Sequence, residues 1–220
     1  MLFQSKNMLE SEKERNFYSK VFAGYYFNEL VPGYESRLQA FSDLLRTCSV
    51  LAFDDGVDAN FQLVPTSTHV TFDFHGYLLE EGKDRGELAD ILIADITNKS
   101  AVTVEVKFLS DWDFEDDIMA VSRRFNSLLA DDRVSPFIHV LLVTQSSLDG
   151  VKRAVNRPGS NWAKLSNAKL DYPLVVLTWE DIAETCEGPE GKLVSSYIHQ
   201  HVEGSRESFR ANARTLLGLK

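Results

Sequence analysis

Along the chain the apolar positions change period twice, and the changes separate helical from extended segments. From about Leu9 to Leu30, Phe17, Val21, Phe22, Tyr25 and Leu30 recur at helical spacing, and Pro32-Gly33 stops the pattern. A second helix is expected from about Tyr34 to Thr47, with Leu38, Phe41, Leu44 and Leu45 along one face. The period then shortens. His69 to Leu78 alternates as a strand does, and Leu88 to Ile96 and Ala101 to Phe108 are rich in β-branched residues. The polar stretch Thr97-Asn98-Lys99-Ser100 separates the last two at hairpin length, so a three-strand meander is predicted.

Helical spacing returns from about Asp113 to Leu129, through Phe114, Ile118, Val121, Phe125 and Leu128. Phe137 to Thr144 is a largely apolar run that suits a strand buried on both faces. Beyond it, Val151 to Leu165 reads as a short helical region broken at Pro158-Gly159, Pro173 to Thr178 as another buried strand, and Gly191 to Leu217 as mostly helix. The expected class is α/β: a central mixed sheet, built of the meander and further strands, flanked by helices. A single domain over 1–220 is expected, with 1–33 as an N-terminal helical extension; no repeat or low-complexity segment divides it.

Composition narrows the setting. With 44% hydrophobic and 25% charged residues, a chain of 220 can bury one sizeable core. The formal charge of -10 argues against a surface built for tight, non-specific nucleic-acid binding, because phosphate affinity comes largely from clustered Lys and Arg. It does not exclude an enzyme whose acids are gathered in one site. Cys48 and Cys186 lie far apart without the paired spacing of a zinc site, and are read as ordinary thiols. No apolar run is long enough to span a bilayer, and the first residues lack the order of a signal peptide, so a cytoplasmic protein without a membrane partner is expected.

The candidate chemistry lies in Glu87-Leu88-Ala89-Asp90-Ile91-Leu92-Ile93 and, after the turn, Val102-Thr103-Val104-Glu105-Val106-Lys107-Phe108. Side chains alternate across a strand, so Val102, Val104 and Val106 face one way and Thr103, Glu105 and Lys107 the other. If the two strands pair around a turn centred between Thr97 and Asn98, Asp90 lies across from Glu105. A shift of the turn centre by one residue sets Asp90 across from Lys107, and the three side chains still share a face. Two converging carboxylates call for a cation, and oxygen donors suit Mg²⁺ or Mn²⁺. A lysine on that face can orient a water or neutralise charge on a phosphoryl group. By spacing alone the pattern also describes a solvated sheet face with a cross-strand ion pair. Its apolar flanks, and the helix and buried strand that follow, tip the balance toward a site.

Leu88-Ala89-Asp90-Ile91-Leu92-Ile93 and Val104-Glu105-Val106-Lys107-Phe108 resemble the signature of the PD-(D/E)XK nuclease superfamily, over roughly Tyr34 to Thr144. Ala89 stands where the family name has proline. The resemblance implies a restriction-endonuclease-like core and a metal-dependent nuclease, acting on DNA sooner than RNA, in restriction, repair or phage defence. It implies Asp90, Glu105 and the Val106 carbonyl as metal ligands and Lys107 as the group assisting the attacking water. A homodimer, or a subunit of a defence complex, would fit; so would a catalytically silent binding or assembly module.

Superfamily members often add a glutamate from the helix before the meander. Glu35, opening the second helix, is the preferred candidate and Glu29 the alternative, although an acid in a first helical turn is favoured by the helix dipole alone. Glu87 has an odd offset from Asp90, which sets it on the other strand face if the strand is regular. The acids Asp111, Asp113, Glu115, Asp116 and Asp117 suit the start of a helix, and Arg123 and Arg124 within it could meet phosphates. His139, inside a buried strand, reads as a core histidine, and His69, His75, His199 and His201 show no metal-ligand spacing. Neither a G-x-S-x-G elbow nor a P-loop is present.

Overall fold

The computed structural model describes residues 14–52, 57–75, 87–107, 137–148 and 173–216. Among the described residues, six strands form one open mixed sheet: β1 (Ser49–Ala52), β2 (Thr68–His75), β3 (Glu87–Asp95), β4 (Ser100–Val106), β5 (Phe137–Val143) and β6 (Leu174–Thr178), in the order β1-β6-β5-β4-β3-β2. The chain is thus an α/β protein. β2, β3 and β4 form the antiparallel meander expected from the period-2 pattern. β4, β5 and β6 run parallel to one another, and β1 closes the far edge antiparallel to β6. Residues 138–143 of β5 and all of β6 are buried, as their continuous apolar sequences require.

The longer described helices are α1 (14–21, continuing as a π-helical turn over Phe22–Tyr26), α2 (Tyr34–Thr47), α3 (Trp179–Glu184) and α4 (Gly188–Leu216). They share a core with one face of the sheet. Phe17, Phe22, Tyr26, Leu38, Phe41, Trp179 and Ile198 cluster with Ile91, Ile93, Val102, Val104, Val106, Val140, Leu142, Val175 and Leu177. The first helix is therefore part of the core, not an extension to it. Its aromatic side chains are close neighbours of α2 and α3: Phe22 meets Phe41 edge-on at 5.8 Å and Phe17 lies 4.6 Å from Trp179. The extra residue of the π turn brings both Tyr25 and Tyr26 inward, where strict 3.6-residue spacing offers only Tyr25.

Leu30 departs from its expected place on the core face, being 92% exposed. Helical structure ends at Tyr26, so the pattern does not carry to position 30. The end is held by the buried Arg37 of α2. Its guanidinium donates to the carbonyls of Tyr25 (2.8 Å), Asn28 (2.7 Å), Val31 (3.0 Å) and Pro32. Arg37 thus satisfies carbonyls that a helix end leaves unpaired, and its charge is matched by oxygen dipoles instead of a carboxylate.

β1 and α3 have no counterpart in the periodicity. β1 has four residues and a register shift against β6, too short to alternate legibly. α3 carries a local signal that spacing overlooks: Thr178 and Asp181 form a capping box, Asp181 N–H donating to Thr178 Oγ1 (3.1 Å) and Thr178 N–H to Asp181 Oδ2 (2.8 Å). The helices expected over 113–129 and 151–165 fall outside the described residues, as do Asp111, Asp113, Glu115, Asp116, Asp117, Arg123 and Arg124.

Candidate functional site

The β3–β4 hairpin fixes the geometry. Ile91 pairs with Val104, Leu92 with Thr103, Ile93 with Val102, Ala94 with Ala101 and Asp95 with Ser100. Continued by one step, that register sets Asp90 across from Glu105, with the turn centred between Thr97 and Asn98. The valines at 102, 104 and 106 face the core with Ile91 and Ile93, which leaves Asp90, Thr103, Glu105 and Lys107 to the other side.

At the turn end of the hairpin, Asp95 organises the loop. Its carboxylate accepts from Val64 N–H (2.9 Å), Ser67 Oγ (2.6 Å), Thr97 N–H (3.0 Å), Asn98 N–H (3.2 Å) and Asn98 Nδ2 (3.1 Å). Burial pushes this carboxyl up, but the donors from Ser67, Val64, Asn98 and Thr97 outweigh it and hold the group below the usual carboxylate range.

At the other end, backbone pairing between β3 and β4 gives way to a side chain. Val106 N–H donates to Asp90 Oδ2 at 2.6 Å, where a strand partner's carbonyl would otherwise accept. β4 stays joined to β5 here, Lys107 N–H donating to the Leu142 carbonyl at 2.9 Å. Lys107 Nζ lies 3.0 Å from Glu105 Oε1, both side chains being less than one-fifth exposed. The Asp90 carboxyl is pushed up to about 8, first by burial and then by the Glu105 charge; the Val106 hydrogen bond and Lys107 oppose this, and Glu14 adds to it. Three acids and one lysine therefore feel one another at this end of the sheet.

Glu14 is the residue that periodicity missed. It lies in α1 one turn before Phe17, and its Oε1 is buried. An acid at position i−3 from the first residue of an apolar stripe was the available signal. Glu35 is not brought to Asp90. It is exposed, and lines a cavity of about 930 Å³ together with Gln62, Val64 and Thr66. Val64 is bound to Asp95, which lies about 17 Å along β3 from Asp90. Glu29 is exposed as well. At Glu87 the β2–β3 register shifts between Phe74 and His75, so the strand is not regular there; the Glu87 side chain lies outside the described residues.

His139 is a core residue as expected. It pairs with Thr103 across β4 and β5, its Nδ1 lies 2.7 Å from Thr103 Oγ1, and burial pushes it down to about 4, so it is neutral at physiological pH. Burial pushes the Cys48 thiol up to about 12 and the Cys186 thiol upward, which leaves both unreactive. Among the described residues, no group of three or more His, Cys, Asp and Glu side chains is arranged to hold a metal ion, and no helix is long and apolar enough to cross a membrane.

No family model matches the sequence, and no curated protein or solved structure matches it either.

Proposed function

We propose that the chain is a Mg²⁺- or Mn²⁺-dependent phosphodiesterase acting on nucleic acid, DNA in preference to RNA, with a restriction-endonuclease-like core of PD-(D/E)XK type. The observation that carries this reading is the meeting of Asp90, Glu105 and Lys107 where β3 and β4 cease to pair, with the Asp90 carboxyl raised by its surroundings. A buried carboxyl raised by a second carboxylate beside it is costly to ionise, and a site that gathers acids in this way anticipates a cation. The oxygen chemistry fits a hard divalent ion, for which Asp90, Glu105 and the Val106 carbonyl are the donors and Glu14 an outer acid. When bound, such an ion supplies Lewis acidity toward a phosphoryl oxygen.

The chain's own residues have distinct tasks in this reading. Val106 N–H fixes one oxygen of Asp90 and so orients the other. Glu105 holds the Lys107 ammonium close to the acids. Lys107 orients the attacking water by hydrogen bonding and offsets the negative charge that grows on the phosphoryl oxygens. Cleavage of plasmid, linear and single-stranded DNA and of RNA with Mn²⁺, Mg²⁺ or EDTA tests the proposal. Metal-dependent cutting that Lys107→Ala lacks is expected; no cutting of any substrate sinks it.

Two observations favour a second reading, a catalytically silent nuclease-like binding module. Lys107 and Glu105 satisfy each other as an ion pair, and no three-residue metal group exists among the described residues. In that case calorimetry finds no Mn²⁺ uptake.

A further inference from the structure

The three parallel strands β4, β5 and β6 end on the same side of the sheet as Asp90 and Lys107. Pairing of β4 with β5 continues through Lys107 N–H to the Leu142 carbonyl, so the segment that leaves β5 after Val143 emerges beside Lys107, about one strand spacing of 4.8 Å away. That segment is Thr144-Gln145-Ser146-Ser147. It turns at once into helix over the described residues 145–148, anchored by the buried Leu148 and by Ser147 N–H to Thr144 carbonyl at 2.9 Å. The buried Thr144 places Oγ1 2.9 Å from both Ser146 Oγ and Ser147 Oγ, and Gln145 N–H donates to Glu180 Oε2 of α3 at 2.9 Å. The backbone is thus tied on three sides, while the side chains of Gln145 and Ser146 are exposed.

We propose that Gln145 and Ser146 are positioning residues that hold the sugar–phosphate backbone of the substrate strand next to the reacting bond. The inference rests on the phosphodiester reading given above. Neutral amide and hydroxyl groups are common contacts to phosphate and sugar oxygens, and they fix register without reading sequence. They also suit this protein: with a formal net charge of -10, hydrogen bonds from a pre-set turn supply orientation that long-range attraction does not. The Glu180 carboxylate beside the turn accepts from the Gln145 backbone N–H.

Binding of a fluorescein-labelled 20-nucleotide single strand and of its duplex, followed by anisotropy in EDTA, tests this separately from catalysis. Gln145→Glu is nearly isosteric, so a merely structural residue tolerates it. Here it should raise the Kd about fivefold or more, with the difference shrinking as salt is added, whereas Gln145→Lys should lower the Kd. Ser146→Ala should raise the Kd by a smaller factor. Gln62→Glu, on the exposed loop at the Asp95 end, should bind as the wild type does. Equal Kd values for wild type and Gln145→Glu, or no binding by the wild type, overturn the inference. If Gln145→Glu weakens binding but no protein cuts any substrate, the docking role stands and the nuclease reading falls. If the wild type cuts in a Lys107-dependent way and Gln145→Glu leaves Kd and KM unchanged, the reverse holds.

Discussion

The two ends of β3 set the same side chain in opposite states. Asp95 is surrounded by donors from the backbone and side chains of 64–67 and 97–98, and its carboxyl lies below the usual range. Asp90, five residues away, has a single close backbone donor from Val106, faces the charges of Glu105 and Glu14, and is pushed up to about 8. A buried acid whose hydrogen bonds are complete serves the fold, because its charge is already stabilised. One left short of donors among other acids costs stability, and such costs persist where the group has another task.

The contrast is broken most sharply at Asp90. Asp90→Asn should reduce metal-dependent cleavage by about a thousandfold or more, in the range expected for loss of a main electrostatic group, while the metal-free protein melts no lower than the wild type. A melting curve and a cleavage assay on the same preparation check both halves. Asp95→Ala should do the reverse. Stranding the donors of the turn should cost about 3 kcal/mol of stability, visible in urea unfolding, while the protein that remains folded keeps its activity.

Acidity separates the two ends as well. For Asp90 the folded carboxyl lies above its unfolded value, so the native state binds the extra proton. Its contribution to stability is full below about pH 4 and is lost as pH rises toward about 8. Tm in EDTA should therefore fall on the order of 10 °C between pH 5 and pH 8.5, a fall that Asp90→Asn abolishes and Mn²⁺ reduces. Asp95, held below its unfolded value, contributes in the opposite sense: its share is present above about pH 4 and is lost as pH falls further.

The smallest expected effects distinguish the two candidate glutamates. Glu14→Gln should lower cleavage about tenfold, as loss of an outer acid does at metal sites, and should narrow the pH dependence of Tm. Glu35→Ala should change neither. Equal behaviour of the two variants would remove Glu14 from the site.

The elements that follow from the sequence are those whose burial follows from local order. α2 spans Tyr34–Thr47 because Leu38, Phe41 and Leu45 fall on one helical face, and the meander follows from alternation in Thr68–His75, Glu87–Asp95 and Ser100–Val106. The facing of Asp90 and Glu105 was likewise contained in the strand period, since a turn over 96–99 leaves only a choice of register. Tertiary structure made that choice: Asp95 draws together donors from 64–67 and 97–98, which no single window of sequence contains. It also chose Glu14 over Glu35. Both are acids on helices, and what separates them is which helix brings its acid within reach of the Asp90 charge. The π turn, the Arg37 cap and the parallel emergence of β5 beside Lys107 belong to the same class. Each depends on which elements become neighbours, a free energy summed over the whole core that local periodicity does not carry.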